Sequence, residues 1–348
     1  MAEANQPGID IRNLWKVFGP NAKAMVPLLE QGTSKAELNG RHGHVLGLRN
    51  VNITMPAGAI QVIMGLSGSG KSTLIRHINR LVDPTAGEIL VGDEDVVKMG
   101  AHELREFRRH KTAMVFQKFA LLPHRNVLEN VVYGLEIQGV PRRRQVEAAT
   151  RWVDRVGLAG FEKHYPNQLS GGMQQRVGLA RALANDAPIL LMDEAFSALD
   201  PLIRTDMQTV LLDIQKEIRK TIVFITHDLD EALRLGDRIA ILRDGEVVQQ
   251  GTSQDIVLRP ADDYVKAFVK EVSRGRVVYV EAAMAPFNPE DRSLATVPRQ
   301  TTLEAAANVL MQHCCEHLTV MDEAGTPVGQ ISLRQLLRAI VTPADDIG

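Results

Sequence analysis

A largely apolar run, Ile60 to Met64, stops at Gly65 and is followed by Leu-Ser-Gly-Ser-Gly-Lys-Ser-Thr. Few features constrain a fold more tightly. Glycines at 65, 68 and 70 let the chain curl so that successive backbone N–H groups converge, at the positive end of the helix that follows. Such a loop is costly to order and buries little by itself, so it needs something to hold. The spacing G-x-x-x-x-G-K-S between a strand and a helix is that of a phosphate cradle. Gly65, Ser67, Gly68, Ser69, Gly70 and Thr73 form it, Lys71 supplies charge to the terminal phosphates, and Ser72 offers a hydroxyl to Mg2+. The following helix places Leu74, Ile75, Ile78 and Leu81 on one face.

A second element points the same way. "APILLMDEAFSALD" is an apolar run ending in Asp193 and Glu194. A strand buried on both faces delivers such carboxylates to its C-terminal edge, where α/β sheets take their ligands. There Asp193 is expected to complete the Mg2+ shell and Glu194 to orient and deprotonate an attacking water. Further buried strands are expected at "TAMVFQ", "TIVFIT" and "DRIAILRDGEVVQQG", alternating with helices such as "LIRTDMQTVLLDIQKEIRK" and "DLDEALRLG". That alternation predicts an α/β domain with a mainly parallel sheet. Residues 118–184 are mostly helical and read as an inserted subdomain. Residues 9–19 read as a short strand, and 20–45 as a loop with one short helix. The pattern restarts near residue 273, taken as a domain boundary.

Composition excludes several classes. A 348-residue chain with 45% apolar and 24% charged residues has room for one large domain or two unequal ones. A net charge of −2 gives no general pull toward nucleic acid or anionic membranes. No basic segment followed by an apolar stretch opens the chain, and no run approaches the ~18 apolar residues of a membrane helix. A cytosolic protein is expected, whose work on any membrane needs a partner. The two cysteines, Cys314 and Cys315, are adjacent and fit a reducing compartment.

"LSGGMQQRVGLARAL", residues 169–183, presents a second helix N-terminus opened by Ser170, Gly171 and Gly172, another phosphate-binding end. With "MGLSGSGKST", "VFQ", "LMDE", "SALD" and "ITHD" in that order, residues 9–255 resemble the ATP-binding cassette (ABC) ATPases. The resemblance implies a P-loop NTPase (RecA-like) cassette with an inserted helical subdomain, binding ATP and Mg2+. It also implies head-to-tail pairs in which one subunit's signature closes over the other's ATP, which explains two phosphate cradles in one chain. By position it makes Gln117 the glutamine that contacts Mg2+ or the lytic water, and His227 the histidine that contacts the γ-phosphate. Asp200 becomes the acid coupling the two sites, and Phe18 the aromatic stacked on adenine. Met173 departs from the glutamine common after "LSGG".

"LLEQGTSKAE", "FALLPHRNVLENVVYGLEIQG" and "LLMDEAFSALDPLIRTDMQ" narrow the resemblance to ATPase subunits of glycine betaine, proline and choline uptake systems. That implies a homodimer on the cytoplasmic face of the inner membrane, under integral membrane permease subunits fed by an external substrate-binding protein, with no nucleic-acid partner. Amino-acid importers of the histidine or proline betaine kind are the alternative. A soluble non-transport ABC ATPase is disfavoured by the single cassette without heptads or a basic tract. The expected domains are 1–47, an N-terminal strand and family-type insertion; 48–260, the ATPase core; and 276–348, a small α+β tail. In that tail "TTLEAAANVLMQHCCEH" puts Leu303, Ala307, Leu310 and Cys314 on one helical face, making the cysteines packing groups. The strand, turn, strand and helix that follow resemble one CBS motif. It is expected to pair with its copy in the second subunit, as a sensor or as a clamp.

Overall fold

The computed structural model describes residues 6–117, 119–289 and 295–341. Lys118, the first residue of the expected helical insert, and the outer ends of the expected first and last domains lie outside them. The chain divides into two compact units, Met1–Val248 and Gln249–Gly348.

The first unit opens with β1 (Ile9–Phe18), the strand expected over 9–19. Helices α1 (Val26–Glu30) and α2 (Lys35–His42) follow, so the segment 20–45 holds two helices and not one. The second is set by local chemistry: Ser34 and Glu37 form a reciprocal capping box, and Gly43 ends the helix at φ 65°. Next come β2 (Val45–Met55), β3 (Ile60–Met64), α3 (Lys71–Ile78), β4 (Ala86–Val91), β5 (Glu94–Asp95), α4 (Ala101–His110) and β6 (Thr112–Val115). Three successive helices, α5 (Val127–Ile137), α6 (Arg142–Arg155) and α7 (Gly171–Ala184), break the alternation. It resumes with β7 (Ile189–Asp193), α8 (Pro201–Ile218), β8 (Thr221–Thr226), α9 (Leu229–Leu235), β9 (Arg238–Arg243) and β10 (Glu246–Gly251).

Two sheets result. One has the order β2-β1-β4-β5 and is antiparallel; the other runs β10-β9-β3-β8-β7-β6 and is parallel from β9 to β6. Every residue of β3, β7 and β8 is buried, as expected of parallel strands covered on both faces. Leu74, Ile75 and Ile78 of α3 join one core with Ile11, Leu48 and Val51 of the first sheet and Ile63, Leu191 and Val223 of the second. Each such side chain contributes about 1.5–3 kcal/mol by leaving water. Leu81 does not belong to that face: α3 ends at Ile78, Arg80 turns the chain at φ 49°, and Leu81 is half exposed.

Register then decides what meets at the sheet edge. Met64 lies opposite Thr226, Asp193 opposite Ile225, and Val115 opposite Met192. Four parallel strands thus end together. The glycine loop, the Asp193–Glu194 pair, His227 and Gln117 all leave from the same edge.

The second unit holds α10 (Ser253–Leu258), α11 (Asp263–Val269), α12 (Arg274–Val277), β11 (Ala285–Pro286), β12 (Thr296–Pro298), α13 (Leu303–His313), β13 (His317–Met321), β14 (Pro327–Ser332) and α14 (Leu333–Val341). Its sheet order is β11-β14-β13-β12. The expectation for α13 needs correcting. Leu303, Ala306 and Leu310 form the buried face, while the helix stops at His313 and Cys314 follows at φ 48°, exposed to solvent. Helical spacing does not carry past that left-handed residue. On α14, Leu333, Leu337 and Val341 form an exposed apolar stripe.

Candidate active site

The glycine loop is built around its own lysine. Lys71, 4% exposed, donates from Nζ to the Gly65 carbonyl at 2.8 Å and the Leu66 carbonyl at 3.0 Å. Burial pulls its pKa below the usual lysine value, and the nearby Glu194 and Asp193 carboxylates oppose that pull. Gly65 and Gly70 have φ values of 152° and 105°, which only glycine adopts readily. A Cβ on Gly65 would lie 2.2 Å from the Leu242 carbonyl oxygen. At Gly68 a Cβ would meet nothing within 4 Å, so the mouth of the loop is open. Ser69 is buried, and its Oγ has no hydrogen-bond partner. An open cradle of N–H groups, a buried lysine and an orphaned hydroxyl fit a polyphosphate.

Across the loop, Ser72 Oγ donates to Asp193 Oδ1 at 2.7 Å. Arg76, one helical turn on, holds the other oxygen of Asp193 at 3.1 Å. Two hard oxygen ligands side by side fit Mg2+, which takes one or two protein oxygens and completes its shell from phosphate and water. Arg76 escaped the sequence reading. Its i,i+4 spacing from Ser72 is legible, but its carboxylate partner lies on another strand.

Glu194 is where three of the expected groups converge. Its Oε2 accepts from Gln117 Nε2 at 3.1 Å and lies 3.6 Å from His227 Nδ1, and its Oε1 is 4.0 Å from Lys71 Nζ. Its backbone is left-handed, at φ 46°, a strain of about 1–3 kcal/mol for a residue with a Cβ. The neighbours hold it there. Glu194 N donates to the Ile225 carbonyl, and the Glu194 carbonyl accepts from Ser197 N at 3.2 Å and Ser197 Oγ at 2.9 Å. A carboxylate fixed between an amide donor, an imidazole and an ammonium is placed to take a proton from water.

Other expected residues sit elsewhere. Ser170 caps α7 by accepting from Met173 N at 3.3 Å; a Cβ on Gly171 would make ordinary contact with the Phe119 ring at 3.7 Å, whereas one on Gly172 would run into Ile203 at 2.8 Å. Asp200 caps α8 by accepting from Ile203 N at 3.1 Å. Phe18 is 42% exposed at the end of β1, with Lys16 Nζ 4.8 Å from its ring centroid. A Cβ on Gly47 would touch the Phe18 ring at 2.7 Å, and the Gly47 carbonyl in turn bounds the space at Gly70. The aromatic is thus two contacts away from the loop. Ser67 is exposed at the loop mouth, and the Thr73 carbonyl is 2.6 Å from His77 Nδ1.

This arrangement has clear relatives. The ABC transporter family matches residues 48–197, and the CBS domain family matches residues 290–342. The glycine betaine transport ATP-binding protein OpuAA of Bacillus subtilis is 54% identical over 78% of this chain, which spans 65% of that protein's length. The glycine betaine/proline betaine transport system ATP-binding protein ProV of Escherichia coli is 45% identical over 95% of this chain and 82% of its own. The trimethylamine N-oxide transport system ATP-binding protein TmoW of Pelagibacter ubique is 43% identical over 97% of this chain and 98% of its own. Among solved structures, a dimeric post-hydrolysis state of an ATP-binding cassette bound to ADP and phosphate superposes with a TM-score of 0.60 at 34% identity. That match covers 70% of this chain and 98% of the cassette. The chain therefore belongs to the ABC transporter ATP-binding proteins of the glycine betaine type, and carries a C-terminal CBS domain.

Proposed function

We propose that this chain hydrolyses ATP in a head-to-tail pair with a second copy, and so drives uptake of a small methylated amine through a membrane permease. The observation that carries the reading is the convergence of Gln117, His227 and Lys71 on the Glu194 carboxylate. In the reaction, the loop N–H groups and Lys71 bind the phosphates and offset charge as it shifts toward the leaving oxygen. Mg2+, when bound at Ser72 and Asp193, supplies further neutralisation of that charge. Gln117 and His227 orient Glu194 and the water, and Glu194 takes the proton as the water attacks. Ser170, Gly171 and Gly172 face the second copy's nucleotide, Asp200 couples the two sites, and Phe18 stacks on adenine.

The transported solute is assigned by kinship. The similar proteins serve glycine betaine, carnitine, proline betaine and trimethylamine N-oxide, all small dipolar molecules with an alkylated nitrogen. Glycine betaine leads, with choline, proline and histidine behind it. Trimethylamine N-oxide is a second reading, favoured because its ATP-binding protein matches this chain end to end. An external binding protein delivers the solute, and the ATPase pair works on the cytoplasmic face of the membrane. The CBS domain's apolar stripe on α14 packs against its copy in the pair.

Glu194→Gln tests the core of this reading. The variant should bind ATP like the wild type and lose about 100-fold or more in turnover, because an amide cannot accept the proton. Wild-type turnover in that variant would overturn the assignment.

A further inference from the structure

Behind the Glu194–His227 pair lies a group that neither the reaction nor the motifs account for. Arg204, in the first turn of α8, is part-buried, and its guanidinium faces two segments at once. Nη1 donates to Asp228 Oδ2 at 3.2 Å, one residue beyond His227. Nη2 is shared between the Leu199 carbonyl at 3.2 Å and the Ser197 carbonyl at 3.5 Å. Ser197 is the residue whose N–H and hydroxyl hold the Glu194 carbonyl. Asp228 is itself fixed, accepting from Glu231 N at 3.1 Å and donating its own N–H to Thr226 Oγ1 at 3.0 Å. One planar fork therefore ties the turn that strains Glu194 into its left-handed conformation to the turn that presents His227.

We propose that Arg204 is a positioning residue for hydrolysis: it clamps the turn after Glu194 to the turn after His227 and so sets the separation of those two side chains. It deepens the proposed function and rests on it, since the clamp matters only where Glu194 acts on water. Only arginine suits the place. A lysine offers one compact charge and cannot span acceptors on both turns in a fixed plane. Glu194 holds its strained backbone only while the surroundings over-determine it, and a shift near 1 Å at the reacting groups costs about 100-fold in rate.

The test uses the full chain and steady-state ATPase kinetics. Arg204→Ala should lower kcat by about 10- to 100-fold, with Arg204→Lys between it and the wild type. ATP affinity, measured by equilibrium binding in the Glu194→Gln background, should change by less than about twofold. The discriminating result is coupling. Combined with His227→Ala, Arg204→Ala should add little further loss, because both act through one geometry. Asp228→Asn cuts the same clamp from the other side while keeping the helix cap, so it should reproduce the kcat defect even if Arg204→Ala does not fold. Losses that multiply with His227→Ala, or a fall in ATP affinity that accounts for the whole defect, would overturn the clamp. If Glu194→Gln retains turnover, the functional reading itself fails, and that outcome is distinct from these.

Discussion

Gly65 and Gly68 belong to one loop, yet the structure sets their substitution costs far apart. Alanine at 65 must keep φ near 152° and place its Cβ 2.2 Å from the Leu242 carbonyl and 2.8 Å from Ser69 Oγ. The conformation costs about 1–3 kcal/mol and the forced overlap about 1–3 kcal/mol more, so roughly 4 kcal/mol in all. Leu242 lies in β9 beside the loop strand, and its carbonyl cannot swing away as a side-chain tip would. At about 2 °C per kcal/mol for a unit of this size, Gly65→Ala should melt roughly 8 °C below the wild type. Gly68, at φ 79°, has nothing within 4 Å of its Cβ. Its alanine variant pays only the left-handed backbone term, about 1 kcal/mol, partly offset by a stiffer unfolded chain. It should melt within about 2 °C of the wild type. That open space is the cradle itself, however, so Gly68→Ala should weaken ATP binding about tenfold or more, equal to ~1.4 kcal/mol. Thermal unfolding by circular dichroism without nucleotide, and titration with a fluorescent ATP analogue, separate the two effects. Equal melting temperatures for the two variants, or unimpaired nucleotide binding by Gly68→Ala, would refute the reasoning.

If Ser170 acts across a pair, mixing a Lys71→Ala chain with a Ser170→Ala chain leaves one composite site intact. ATP-dependent dimerisation on a sizing column should then partly recover, and failure to complement counts against head-to-tail pairing. Burial holds the Glu231 carboxyl above its ordinary value of 4.5, with the hydrogen bonds from Thr226 and Gln208 opposing. The folded chain therefore keeps a proton that the unfolded chain has lost, and stability falls as pH rises from about 4.5 through the raised pKa. Glu231→Gln should thus melt above the wild type at pH 8 and close to it at pH 4; a difference independent of pH would count against this. Cys314 is exposed and Cys315 half-buried, so a thiol reagent should label one site quickly and the other slowly, and Cys314→Ser should remove the fast phase. Two equally fast thiols would contradict the placement.

The parts legible in the sequence are those set by local rules. The phosphate loop, the apolar strands β3, β7 and β8 and the acids at the end of β7 all announce themselves through runs and spacings within a dozen residues. The helix α2 was missed, although Ser34, Glu37 and Gly43 carry a capping signal that hydrophobic spacing alone passes over. In the antiparallel sheet β1 was read at 9–19, although its register shifts between Ile11 and Leu14 and again before Val17 and so breaks the two-residue alternation by which a half-exposed strand is recognised; β2 and β4 were not read. Leu81 and Cys314 were misplaced for one reason: a single left-handed residue, Arg80 or Cys314 itself, ends a helix that periodicity would continue. That Gln117, Glu194 and His227 belong together is written in their motifs; that they meet within 3.6 Å depends on Val115, Met192, Ile225 and Met64 ending in register on neighbouring strands. Arg76 and Arg204 were beyond sequence reading altogether. An arginine on a helix is unremarkable until the fold brings Asp193 from one strand, or Asp228 and two carbonyls from separate turns, to its guanidinium. Type and spacing along the chain decide which chemistry is available, and only the packing of distant segments decides which charges it sets face to face.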